Sequence, residues 1–283
     1  MRIGILTDSL ADLPHSYCKE NNIRLMSSYV NTGRSTKRDD KIHKGKFYER
    51  IYTTEPTTKA PSKRDFHEVY TAMSAEYDFI FSIHTSIHLT SIILKASKVV
   101  HENTFGTTEI RTYDSGQISA GLNVIIRSVV DLIKAGCSVD EIDGEIGRMS
   151  KEAEFHCIIP VDRLIKNSEN INRNHLGLKT NRILKMRNGI VVMGNKFDKM
   201  YKGVGEFEDT ILKSGKSKIA ISHSIAPAEN YIKKNTYPFF LWGEVPDDLY
   251  NQVTSEGYDC TITVMNPSLI AHLGMGTIGI GLL

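Results

Sequence analysis

Strand-like and helix-like segments alternate through the first half of the chain, and this alternation constrains the fold more than any other feature. Strand-like runs at residues 2–6, 24–30, 79–83 and 109–113 are separated by stretches with helical character. One helix is expected to open at Pro14, a residue suited to a first turn. A second is expected from Ser62, with Asp65 three residues on as a capping partner before Phe66, Val69, Tyr70 and Met73. Leu122, Ile125, Ile126, Val129, Val130 and Ile133 repeat with helical spacing and predict a long helix with a broad apolar face. Alternation of this kind predicts an α/β fold: a mainly parallel, Rossmann-like sheet with helices on both faces.

The second half has a different texture. Residues 182–187 and 190–193 flank Asn188-Gly189, a strong two-residue hairpin signal. Further strands are expected at 218–222 and 261–265, with helices near 226–234 and 246–256. The pattern predicts a smaller, mixed α/β domain with some antiparallel pairing, dividing the chain into residues 1–153 and 154–283.

Composition removes several classes of function. With 35 basic and 33 acidic residues, no whole-protein field for nucleic acid is expected. No apolar run reaches the roughly 18 residues of a membrane span. Met1 leads into the first strand without the basic and apolar regions of a signal peptide. Cys18, Cys137, Cys157 and Cys260 are far apart and form no CxxC, so they are expected to be reduced, mostly buried thiols of a cytoplasmic protein. Residues 33–46 are dense in charge and read as a solvated loop.

Function is suggested by the polar ends of the strands. Thr7-Asp8-Ser9 closes the first apolar run at the place where open α/β sheets hold ligands. Read alone, Asp8 or Ser9 could equally cap the next helix. Pro56-Thr57-Thr58-Lys59-Ala60-Pro61-Ser62 puts hydroxyls just before a helix start, where a carboxylate could accept hydrogen bonds. Threonines bonding their own backbone in an ordinary loop would look the same. His84-Thr85-Ser86-Ile87-His88-Leu89-Thr90-Ser91 and Tyr113-Asp114-Ser115-Gly116 repeat the polar ending after two further strands. Near the end of the chain, His272 stands beside Gly274 and Gly276; a histidine among apolar neighbours is more often a satisfied core residue than a ligand. The GxGxxG spacing of residues 274–279 is no dinucleotide motif, because only four residues follow it. Residues 116–121 miss the GxSxG nucleophile elbow by one position.

Taken in order, these segments resemble the DegV family of bacterial fatty-acid-binding proteins. Residues 5–14, Ile-Leu-Thr-Asp-Ser-Leu-Ala-Asp-Leu-Pro, are similar to the family's (I/V)-T-D-S-(T/S)-A-D-L-P. Pro56-Thr57-Thr58-Lys59-Ala60-Pro61-Ser62 is similar to P-T-T-S-Q-P-S, and Leu89-Thr90-Ser91-Ile92 lies on L-S-G-T. Asp114-Ser115, with Ser119, Gly121 and Leu122, fits D-S-x-x-x-S-x-G-L, and His272-Leu273-Gly274-Met275-Gly276 fits H-x-G-P-G. The resemblance implies a cytoplasmic carrier, without catalysis, cofactor or metal, that encloses one long-chain fatty acid between two domains. Its carboxyl group would be held by Thr58, Thr90 and His272. The polar strand ends and the glycines, read for themselves, add Ser86, Ser115, Gly274 and Gly276 close by, with Thr7, Asp8, Ser9 and Asp114 in support. Some family members present the carboxyl group to a separate fatty acid kinase.

Departures bear mainly on that partner. Asp198 reverses a charge where the family tends to read K-x-R, and Ser168-Glu169-Asn170-Ile171 replaces a G-G-R-I region. Ser91 replaces a glycine, so the turn there is expected to differ or to be slightly strained. Two other readings are open. A hydrolase would use Thr90 or Ser115 as nucleophile, His272 as base and Asp8 or Asp114 to orient it. A binding module for another small anion would reuse the fold. Met26, Ile87, Ile92, Met265, Leu269 and Met275 are candidates for lining an acyl tail, although each would serve equally in a core.

Overall fold

The computed structural model describes residues 1–51, 54–159, 181–224 and 244–283. Residues 168–171 and the helix expected near 226–234 lie outside them. The first sheet is all parallel, in the order β2 (Ile23–Met26), β1 (Ile3–Asp8), β6 (Phe79–His84), β7 (Glu109–Asp114). Successive residues of these strands point to opposite faces, and both faces are apolar. Leu6, Met26 and Ile80 pack under α3 (Lys63–Ser74) and α4 (Ile92–Glu102). Ile5, Ile23, Phe79, Phe81 and Ile83 pack against α1 (His15–Glu20), α5 (Ala120–Lys134) and α6 (Val139–Glu152). Helix α3 starts on the capping box expected of Ser62 and Asp65. Pro14 is the N-cap of α1 rather than a residue of its first turn.

One expected strand is divided. Residues 24–30 break at Ser27-Ser28, and the second part, β3 (Tyr29–Asn31), leaves the parallel sheet. It forms the centre of a small antiparallel sheet with β4 (Thr36–Arg38) and β5 (Thr57–Lys59), in which Val30 faces Thr58. The segment holding Thr58 is therefore a strand and not the loop that its prolines suggest. The charge-dense stretch also folds, into β4, a 3-10 turn at Asp39–Lys41 and the start of α2 (Lys44–Arg50).

The remaining strands make a second, mixed sheet in the order β10 (Ile190–Phe197), β9 (Asn181–Arg187), β8 (Glu154–Ile159), β13 (Ile278–Leu282), β11 (Lys218–His223), β12 (Asp259–Val264). Its pairs are antiparallel except β11 with β12. Among the described residues its six strands make it wider than the first sheet. The hairpin turn is as expected, with Asn188 and Gly189 both at positive φ, 52° and 76°. Residues of α7 (Met200–Ser214) and α8 (Val245–Ser255), among them Phe207, Ile211, Leu249 and Val253, cover one face.

Helix α5 joins the two sheets. Leu122, Ile125, Ile126 and Val129 face the first, while Ala120 and Val124 join Phe155, Cys157, Leu184, Met186 and Ala220 of the second. The close approach requires Gly281 on β13, where a Cβ would lie 2.0 Å from the Ala120 carbonyl oxygen. Among the described residues, no helix is long and apolar enough to cross a membrane. The four cysteines are free, and burial pushes the thiols of Cys18, Cys157 and Cys260 up to about 12.

Candidate functional site

Helix α9 (Pro267–Leu273) carries His272, and strand β5 carries Thr58. The Thr58 hydroxyl lies 2.7 Å from His272 Nε2, although the residues are 214 positions apart. Both side chains are only partly buried. Burial holds the imidazole below its ordinary value of 6.5, which leaves the ring neutral at pH 7. At this spacing one group donates to the other; with Nε2–H donating to the Thr58 oxygen, the Thr58 hydroxyl keeps its proton for a further acceptor such as a carboxylate.

Thr90, the third expected donor, is half-buried just before α4 and accepts a hydrogen bond from the Ile92 N–H at 3.2 Å. No hydrogen bond joins it to the Thr58–His272 pair among the described residues. Ser91 has φ of −86°, an ordinary conformation, so the strain expected of a missing glycine is absent at this position. Gly274 and Gly276 both take positive φ, 84° and 81°, and turn the chain sharply after α9. Ser224, which sequence reasoning did not single out, holds that turn. Its hydroxyl donates to the Gly274 carbonyl at 2.9 Å and accepts from the Thr277 N–H at 2.9 Å.

The other expected residues lie apart from the pair in the hydrogen-bond network. Thr7 and Asp8 belong to β1 itself instead of following it. The Asp8 carboxylate accepts from the Thr85 N–H and hydroxyl, both at 2.8 Å, and from the Leu10 N–H. His84 Nδ1 is 3.2 Å from Asp8, and its Nε2 is 2.8 Å from the Ser82 hydroxyl. Thr7 is fully buried, with its hydroxyl unpartnered among the described residues. Ser86 donates to the Gly189 carbonyl at 2.8 Å and so fastens the β9–β10 hairpin to the first sheet. Ser115 bonds Gln117 within its own turn, and Asp114 accepts from Ile87 and Gly116 N–H groups. Ser9 donates to Asp39 at 2.6 Å.

A profile of the DegV family, described as uncharacterised proteins, matches residues 2–168. The chain belongs to the DegV family. A DegV domain-containing protein of Staphylococcus aureus is 26% identical over 297 aligned residues, spanning 98% of this chain and 96% of that one. Among solved structures, a fatty-acid-binding DegV family protein from Thermus thermophilus superposes with a TM-score of 0.84 at 21% identity, over 100% of this chain and 99% of that one. DegV from Bacillus subtilis, described as a fatty acid binding protein, gives 0.82 at 20% identity, with 100% and 99% covered. A DegV family protein from Eubacterium eligens loaded with heptadecanoic acid gives 0.81 at 14%, with 99% of each covered.

Within this DegV protein the hydrolase arrangement does not assemble. His272 faces Thr58, whereas Asp8 is bound to Thr85 and His84. Ser82, His84 and Asp8 do form a serine–histidine–aspartate chain, but all three are wholly buried and Ser82 is bonded to Tyr70 at 2.7 Å. No substrate can reach that serine, so the chain is a satisfied polar core. Among the described residues, no cluster of His, Cys, Asp or Glu is fit to hold a metal ion.

Beneath α9 lies a second polar group that sequence reasoning missed. Asp12 is buried at a positive φ of 52°, accepting from the Ser119 hydroxyl at 2.6 Å and the Asn266 N–H at 2.7 Å. Ser119 also meets Ser222 at 2.7 Å and has φ of 53° with ψ of −131°, a strained backbone for a residue with a side chain. Burial raises the Asp12 carboxyl from 3.8 to about 7. Between those two values the folded chain keeps a proton that the unfolded chain has released, so stability falls as pH rises through this range. The melting temperature is expected to drop between about pH 5 and about pH 7, and Asp12→Asn is expected to flatten that slope. An unchanged slope in the variant would assign the proton elsewhere.

Proposed function

We propose that this protein is a fatty-acid carrier with no chemistry of its own, holding the ligand's carboxylate at Thr58 and His272. The observation that carries this reading is the 2.7 Å contact between those two distant residues. A neutral imidazole and a hydroxyl can hold a carboxylate that has left water, a transfer that needs compensating donors. Thr90, at the start of α4, is the proposed third donor. The tail is proposed to lie among apolar side chains of the same neighbourhood, which are buried against one another. Met26, Ile92, Met265, Leu269 and Met275 belong to one cluster with α9 residues, whereas Ile87 is 38% exposed and drops out of the proposed lining.

Descriptions of DegV relatives as fatty-acid-binding support the same ligand class. In this reading the acyl chain lies between units 1–153 and 154–283, a boundary that agrees with β8 beginning at Glu154. The carrier works in the cytoplasm, and its carboxylate is offered to a fatty acid kinase. Asp198, where the family tends to be basic, is paired with Lys202 at 2.8 Å, so a kinase would meet a different charge pattern there.

The test is mass spectrometry of an organic extract of protein purified from cells. A stoichiometric long-chain acid is the expected result. Protein that is always empty, and that also ignores added oleate and palmitate, would remove the reading.

A further inference from the structure

Asp39 lies in the charge-dense stretch, yet it is only 1% exposed. One of its carboxylate oxygens, Oδ2, accepts from three segments: the Ser9 hydroxyl at 2.6 Å, the Ser268 hydroxyl at 2.8 Å and the Ser28 N–H at 3.2 Å. The other oxygen, Oδ1, has no hydrogen-bond partner among the described residues. The Asp39 N–H donates back to the Ser28 carbonyl at 2.9 Å. Ser28 immediately precedes β3, whose Val30 is registered with Thr58 on β5. Ser268 is in the first turn of α9, four residues before His272 and so on the same face of the helix.

These links close a ring. From Asp39 one path runs through Ser28 and β3 to Thr58; the other runs through Ser268 and α9 to His272; the 2.7 Å contact joins their ends. Helix α9 has only seven residues, too few to hold its place by helix formation alone. Its N-terminus is held by Asp39 through Ser268 and by Asp12 through the Asn266 N–H. A displacement of about 1 Å at that end would break a bond of the length seen between Thr58 and His272.

We propose that Asp39 is a positioning residue, which sets the spacing of Thr58 and His272 by anchoring the strand pair under one and the helix that carries the other. The proposal rests on the carboxylate-binding reading above, and it adds a residue that never touches the ligand. Ser9, in the Thr-Asp-Ser sequence at the end of β1, then acts by orienting Asp39.

The test compares Asp39→Ala, Asp39→Asn and Ser268→Ala in the full chain, with Asp40→Asn as a control at the adjacent carboxylate, which pairs with Arg38. Two quantities are read: oleate affinity by fluorescence displacement, and the titration of His272 by NMR in ligand-free protein. Asp39→Ala is expected to weaken oleate binding by about tenfold, and to return the His272 titration toward its ordinary value as the helix end loosens. Asp39→Asn keeps an acceptor oxygen and is expected to restore most of both; Asp40→Asn is expected to change neither. Ser268→Ala severs only the helix link, so it is expected to move both readouts in the same direction by a smaller amount. It serves as the test if Asp39→Ala does not fold. Wild-type affinity and an unshifted His272 titration in both Asp39→Ala and Ser268→Ala would overturn the proposal, even with a lowered melting temperature. If the wild-type chain takes no acyl ligand at all, the carrier reading falls, and the titration alone decides the positioning role.

Discussion

His272→Ala is expected to weaken fatty-acid binding by about 1.5–3 kcal/mol, roughly 10- to 150-fold in Kd, without abolishing it. The range is that of a hydrogen bond to a charged group, and the tail explains why binding survives. Each buried methylene contributes about 0.8 kcal/mol, so ten of them outweigh the headgroup contact several times over. On the proposed reading, the headgroup contact would set orientation and selectivity more than raw affinity. A fatty alcohol of the same length should bind wild type more weakly than the acid, and this preference should shrink in the variant. The pH dependence has a definite sign. A bound carboxylate favours the imidazolium, so binding takes up a proton and oleate affinity should rise as pH falls from about 8 toward 6. That rise should vanish in His272→Ala. Equal affinities for acid and alcohol in wild type would show that no headgroup contact is made.

Gly281→Ala should cost the fold more than any other single methyl group considered. The added Cβ would stand 2.0 Å from the Ala120 carbonyl oxygen and 2.2 Å from its carbon. Neither atom can rotate away, because both are backbone of the first turn of α5. The helix end must retreat from β13, and with it goes the Ser119 hydroxyl that links Asp12 to Ser222. Overpacking of this kind costs about 3 kcal/mol or more, which for a chain of this size lowers the melting temperature by roughly 6–12 °C. The contrast is Gly144→Ala, at a position in α6 where a Cβ would meet nothing within 4 Å. There the better helix propensity should stabilise by up to about 1 kcal/mol. Two glycine-to-alanine changes of opposite sign, read by thermal melting, check that the sheets meet across α5 as described.

What the sequence made legible was mostly local. The capping box at Ser62, the Asn188-Gly189 turn and the apolar face of α5 depend on neighbours within a few residues, and each formed as its pattern predicts. The short sheet of β3, β4 and β5 was not legible, because three-residue strands carry too little pattern and their pairing is a long-range event. Asp39 was hidden for a related reason. Its neighbours are charged and exposed, and only tertiary contacts with Ser9, Ser28 and Ser268 bury it. Ser86 shows a related case: its hydroxyl follows a strand end, and its acceptor comes from a hairpin a hundred residues away. Thr58 and His272 stand out by motif order along the chain, whereas their contact is a product of the whole fold.

The most direct measurement is the carbon-13 NMR titration of oleate labelled at its carboxyl carbon, bound to wild type and to His272→Ala. Held by Thr58 and His272, the carboxyl group should stay ionised well below the range in which the free acid takes up its proton, and its resonance should shift in the variant. A bound carboxyl that titrates like the free acid, with one resonance position in both proteins, would mean that the headgroup lies elsewhere.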